Sequence, residues 1–410
     1  MRRFLEQACV ALLCIIAFSL PFDFSLRTIS LEIPLIKTLL ILEVVILLFL
    51  WELVIFAEKK VVFKEMHLFI PFFLFLGLHV FSAVFPSEKM IWSLKYTLRF
   101  FSIGMIAFAI PRFAVTARQL NRIVRSLFLG AACAAVMVLI QYRWPYLVVN
   151  LQRFFDDAVV NPSRVRGLFG WPTNMSVYFG TLIPLTMAHL FYKPKQYKAE
   201  KILYGIFIVI LLICPILSKS RGWIIGLFCG CSTLWIIYVI SQKDYKILTA
   251  GLLLLIVLAS LTANVLFNFP GILKNELEHS EASRVTMARC ALSTIKEYPL
   301  RGIGADMFYW RMNPYTRTHN IFLETAVNVG IFGVFILVWL LGTIFWKIGK
   351  RVFKTPVLKR SYLSIGVFSS LISFLGHNQV DYFWDLHEII GLFWILVGIG
   401  LAAAGLKSDT

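Results

Sequence analysis

The stretch RTHNIFLETAVNVGIFG, 317–333, sets an arginine, a histidine, an asparagine and a glutamate at the mouth of a long apolar run. A neutral imidazole at a water–membrane boundary can accept a proton from a sugar hydroxyl, because its unperturbed pKa lies near neutrality. His319 is therefore a candidate base, set against the plainer reading of a capping or interfacial histidine. Asn320, Glu324 and Asn328 recur every four residues, which places them on one helical stripe facing a bundle interior. Glu324 is tolerable inside an apolar run if it accepts from loop donors or arginines. Gly330 and Gly333 permit close helix packing.

Arginines gather around this mouth. They are Arg164 and Arg166 in PSRVRGLFGWPTN, Arg221 in SKSRG, then Arg284, Arg289, Arg301, Arg311 and Arg317. Guanidinium forks suit phosphate oxygens, and beside a bilayer they suit a lipid-linked pyrophosphate. They equally suit anionic headgroups, or pairing with Glu276, Glu278, Glu281 and Asp306. Arg221 sits in a tight turn between two apolar runs with little freedom to snorkel, so a functional role is favoured there. Arg284 and Arg289 lie five apart on a helix-like segment, 283–297, and so not strictly on one face. The YPLRGIG turn follows that segment. His377, Asp381, Asp385 and His387 would offer oxygen and nitrogen ligands if helical, but their spacing is unspecific and the aspartates suit loop arginines as well. No metal is expected. Glu43, in mid-span, needs a partner, for which Arg99 or Lys95 are candidates.

The elements that must position these residues follow from composition. Of 410 residues, 59% are hydrophobic and only 15% charged. Soluble domains are nearer half apolar and a quarter charged, so an all-α polytopic membrane protein is expected. A transmembrane barrel would need short alternating strands, which the pattern lacks. Apolar runs lie near 8–22, 34–57, 66–84, 93–111, 123–142, 174–192, 202–218, 222–240, 247–267, 319–345, 361–377 and 388–406. These twelve spans put both termini on one side.

The net charge of +18 does not point to nucleic acid, because most basic residues lie in short loops between apolar runs. EKKVVFKE (58–65), the 112–125 segment, KPKQYKAEK (193–201) and KIGKRVFKTPVLKR (347–360) share the face of Arg2 and Arg3, which is read as cytoplasmic. The other face carries the loops 143–173 and 268–318, long enough to be functional. One membrane domain over 1–410 with a periplasmic cap is expected. Six cysteines fall in apolar runs and Cys290 in a loop, so no disulfide framework is implied. MRRFLEQ runs into an apolar stretch with no convincing cleavage site and reads as a signal anchor.

Four ordered segments carry a family resemblance: RGLFGWPTN with TLIPL (166–185), SKSRGW (218–223), SRVTMARCALSTIKEYPLRGIGADMF (283–308) and THNIFLETAVNVGIFG (318–333). They resemble the O-antigen ligase and polymerase superfamily of bacterial inner-membrane glycosyltransferases over the region 160–345; the first five spans match only in hydropathy. The resemblance implies a GT-C-like, metal-independent, inverting transferase without cofactor, its site facing the periplasm. Its donor would be a glycan on undecaprenyl pyrophosphate, and its acceptor lipid A–core or another glycan. By position, Arg221 and Arg284 match the arginines that hold the pyrophosphate, and His319 the histidine that activates the acceptor. Arg166, Arg289 and Glu324 match weaker positions, and Arg317 and Asn320 flank the histidine as further substrate contacts. Ala288 stands where the family commonly has a tryptophan.

Ligase is favoured over polymerase. A lipid-linked glycan flippase or exporter is the alternative of another class, although it should carry mid-membrane polar residues and internal repeats. A cell-wall polymerase of the shape, elongation, division and sporulation type shares the topology, but its signatures are not found. Partners expected besides donor and acceptor are membrane lipids, not nucleic acid, and the chain is expected to act as a monomer.

Overall fold

The computed structural model describes residues 1–22, 39–59, 66–85, 89–145, 164–192, 198–242, 272–312, 317–354, 362–384 and 386–406. All regular structure among them is helical. In chain order the helices are α1 (Arg2–Ser19), α2 (Leu39–Glu58), α3 (Met66–Val84), α4 (Met90–Gly104), α5 (Ile106–Phe113), α6 (Ala117–Arg143), α7 (Pro172–Tyr192), α8 (Lys198–Leu217), α9 (Gly222–Gln242), α10 (Ile272–Glu297), α11 (Met307–Met312), α12 (Ile321–Lys354), α13 (Tyr362–His377) and α14 (His387–Gly405). Nine spans are long and apolar enough to cross a membrane among the described residues. The protein is thus a multi-pass, all-α membrane protein.

Eleven of the twelve expected spans coincide with helices, and 247–267 lies outside the described residues. The fourth span, expected as one run over 93–111, is broken at Met105 into α4 and α5. Helix α14 forms the centre, with every residue from Ile389 to Ala403 buried. Its neighbour α7 is less apolar, yet residues 174–186 are all buried. Without water at this depth, its polar groups must find partners inside the bundle. Thr186 bonds the Leu182 carbonyl, and the Leu185 amide reaches Ser370 on α13.

Two features place the site. On α9, Gly222, Gly226 and Gly230 form a stripe against α13, where any Cβ would clash with His377 or the Ser373 residue. Small residues at four-residue steps let the two backbones meet, so the start of α9 lies beside the end of α13. On α12, Gly330 adopts φ 76° and ψ −178°, which interrupts the helix. The break frees carbonyls that the YPLRGIG turn then satisfies: Ile303 N–H donates to Val327 O at 2.9 Å and Gly304 N–H to Asn328 O at 3.0 Å. Ile331 N–H returns a bond to Pro299 O at 2.8 Å. A side chain at Gly330 would collide with the Leu300 backbone. The expected role of Gly330 in helix packing is therefore corrected, since it docks a loop into a helix break.

Glu43 is corrected as well. It is buried, and its partner is the Ser19 hydroxyl at 2.7 Å, not Arg99 or Lys95. Helix α2 packs on α1, and that contact brings the C-terminal turn of α1 to Glu43.

Candidate active site

Four side chains from three elements converge where α13 ends and α12 begins. His319 Nδ1 lies 2.9 Å from Asp381 Oδ1. A carboxylate only accepts, so Nδ1 carries the proton and Nε2 is left as the basic atom. Asp381 Oδ2 is 3.8 Å from Arg284 Nη2 on α10 and 3.9 Å from His377 Nε2. The Asp381 side chain is 10% exposed while His319 is 33% exposed, so the carboxylate is sheltered behind an imidazole that meets solvent.

The loop bearing Asp381 is held rigidly from below. Phe383 and Trp384 are buried, with Trp384 stacked on Phe100 at 5.4 Å and Phe383 edge-on to His377 at 4.8 Å. Asn378 accepts the Phe383 amide at 3.3 Å, and its own carbonyl accepts the Ile321 amide at 3.1 Å. That last bond ties the first turn of α12 to the Asp381 loop. Asn320 caps the same turn, its Oδ1 accepting from Phe322 and Leu323 amides at 2.9 and 3.1 Å. Asn residues favour this position because the cap satisfies amides with no helical partner.

His319 itself has φ 55°, Lys219, in the turn before α9, has φ 53°, and Asp306 has φ 66°. The left-handed region is sparsely populated by non-glycine residues, and such conformations persist where surrounding structure over-determines them. Three of the four such residues among those described lie in the loops that build this site.

Beside the His319 group is a second polar cluster. Arg317 pairs with Asp306 and sits 3.7 Å from Glu324 Oε1. The Thr318 amide donates to Glu324 Oε2 at 3.1 Å, and Trp92 Nε1 to Asp306 Oδ2 at 2.7 Å. Glu324 is fully buried, as its place on the interior stripe requires, and it fixes the backbone immediately before His319. A cavity of about 120 Å3 opens here, lined by Arg99, Asp306, Arg317 and His387.

The remaining candidates are distributed as follows. Arg221 ends the turn that starts α9 and precedes Gly222, the residue whose backbone lies against His377. That turn is built by Ser218, which bonds Pro215 O and accepts the Ser220 amide, while Arg164 donates to Ser218 O at 3.0 Å. Arg166 is buried and donates to Gly170 O; its amide and that of Gly167 bond Gln141 at 3.0 and 2.7 Å. Arg289 is exposed, about 140° round the helix from Arg284. Arg311 pairs with Glu297 at 2.9 Å and lies over Tyr298, as does Arg301. The Tyr298 hydroxyl, with Arg311, holds the Glu297 carboxyl below its ordinary range. For Arg164, Arg301 and Arg311, protein partners account for the side chain.

The expected cluster at 377–387 is divided. His377 and Asp381 meet the His319 group, whereas His387 lines the neighbouring cavity; Asp385 lies outside the described residues. Asp381 is the residue that sequence reading underrated. Its signal was the His377–Asp381 spacing, one helical turn, read as ligation or loop pairing with nothing to tie it to His319 across 62 residues.

The group thus sets the Arg284 guanidinium and the His319 imidazole around one sheltered carboxylate. Residues 206–338 match the family model described as O-Antigen ligase. That stretch contains Arg221, Arg284 and His319, and it supports the resemblance drawn from the motifs. No curated protein matches the chain.

Proposed function

We propose that this O-antigen ligase domain moves a glycan from undecaprenyl pyrophosphate to an acceptor hydroxyl, with lipid A–core as the acceptor, at the periplasmic face of a bacterial inner membrane. The observation that carries the reading is the 2.9 Å contact from His319 Nδ1 to Asp381, which leaves Nε2 basic at a solvent-facing position. In this scheme Nε2 takes the proton of the acceptor hydroxyl as its oxygen attacks the anomeric carbon. The bond from that carbon to pyrophosphate oxygen breaks, and configuration inverts. Arg284 and Arg221 meet the charge that develops on the leaving pyrophosphate, as preorganised cations do most effectively in a dry site. Asp381 stabilises the imidazolium; Glu324, Arg317 and Asn320 hold the His319 backbone; Arg166 and Arg289 stand further off as donor contacts.

No metal or cofactor enters the scheme. The distribution of Lys and Arg supports cytoplasmic termini and a single membrane domain over 1–410, with 143–173 and 268–318 as its periplasmic loops. The chain acts as a monomer. Such a site explains the opening cluster, since its substrate is half membrane and half water. Joining of undecaprenyl-linked repeat units is the second reading, because it needs the same base and arginines. The test is to incubate purified protein in lipid with labelled undecaprenyl-pyrophosphate glycan, with and without lipid A–core. Label on lipid A–core supports ligation, a ladder of longer lipid-linked glycans supports polymerisation, and donor left intact throughout would favour a flippase.

A further inference from the structure

Helix α12 runs about 50 Å, so its far end lies on the face of the bundle opposite His319. There a cavity of about 910 Å3 opens between α12, the start of α3 and the end of α14. One stripe of α12 forms its wall: Trp339, Gly342, Trp346 and Lys350 recur at three- and four-residue steps, with Lys347 beside them. Arg351 joins them from the next face. We infer that this groove is a binding site for one anionic phospholipid of the leaflet on that side.

Four observations favour that occupant. Among the described residues, Lys347, Lys350 and Arg351 line the groove and no acidic residue does, which suits a phosphate rather than a zwitterionic or neutral headgroup. Arg351 donates through Nη2 to the Leu406 carbonyl at 3.0 Å, while its Nε is buried and has no hydrogen-bond partner among the described residues. From Lys350 to Trp339 the stripe is about 16 Å long, close to the roughly 15 Å depth of a single leaflet's hydrocarbon. Trp346 and Trp339 are 69% and 49% exposed, as aromatic residues at a headgroup boundary are. Gly342 leaves the middle of the groove open, since a Cβ there would meet no atom within 4 Å. An acyl chain along this channel would pack on the indoles while the phosphate meets Lys347, Lys350 and Arg351. The site is independent of the glycan chemistry at the other end of the helix.

The experiment is native mass spectrometry of the full chain released from detergent, after incubation with phosphatidylglycerol or phosphatidylethanolamine of matched chains. The expected result is one retained phosphatidylglycerol with at least a ten-fold preference over phosphatidylethanolamine. Lys347→Gln with Lys350→Gln should weaken retention roughly five-fold for each charge removed, the factor that corresponds to about 1 kcal/mol per basic residue. Gly342→Phe keeps every charge and fills open space, so it should fold as the wild type and lose the lipid. Equal retention of both lipids, wild-type retention by Gly342→Phe, or a second polypeptide or second copy in place of lipid would overturn the assignment.

Discussion

Where α1, α2 and α5 meet, Arg112 places Nη2 2.7 Å from both oxygens of Glu58, Arg2 closes on the same carboxylate at 3.0 Å, and Glu6 joins through Arg2 at 3.2 Å. Around Asp381, by contrast, Arg284 and His377 stand at 3.8 and 3.9 Å, and only His319 is at hydrogen-bond distance. Both clusters gather charges from separate helices at a membrane boundary. The Arg112 group uses helix ends and a capping arginine whose bonds are complete within the protein. The Asp381 group uses loops with left-handed residues and keeps the Arg284 guanidinium short of closure. A network with all partners at short range holds helices together and has little left to offer a ligand. One with a guanidinium held near, but not on, a carboxylate keeps donors that a ligand can use.

Substitutions can break that contrast. The largest effect is expected for His319→Ala: glycan transfer should fall by roughly 10²–10⁴-fold, measured with the lipid-linked donor, while thermal unfolding stays unchanged. Retained transfer would remove the base from the proposal. Arg112→Ala should do the reverse, since the Glu58 side chain is 8% exposed and would be left without its main partner. A loss of about 3 kcal/mol in stability is expected, with transfer per folded molecule unaltered. Asp381→Asn leaves the shape intact but removes the charge that orients and stabilises the imidazolium. Here kcat should drop by about 10²-fold with little change in KM, whereas a purely structural role would lower the folded fraction instead. The smallest effect is expected for Gly330→Ala, whose φ of 76° and contact with Leu300 penalise any side chain. A cost of about 1–2 kcal/mol should appear, with faster amide exchange across 298–304 as the diagnostic.

How much of this was legible beforehand depended on the range of the interaction. The helices were, because a bilayer demands long apolar runs and these need no knowledge of neighbours; even α7, with its threonines and asparagine, was marked by hydropathy. The burial of Glu324 and Asn328 was legible too, since a polar residue inside an apolar helix is costly and calls for a partner, whereas Asn320, expected on the same stripe, caps the helix instead. The break of α12 at Gly330 was not. Its cause is the docking of the 298–304 turn, and a glycine inside an apolar run equally signals helix packing. Nor could Arg164 be told apart from a ligand-seeking arginine until the Ser218 carbonyl was found as its acceptor.

From the chain alone came what is set locally: a polytopic helical membrane protein, its polar mouth at 317–324, and the histidine and arginines gathered around that mouth. Only the tertiary structure decided which carboxylate faces His319, which arginines already have protein acceptors, and how the YPLRGIG turn enters a helix. Those are contacts between residues far apart in sequence, and hydropathy or spacing carries no record of them, because they depend on how helices pack after each has formed.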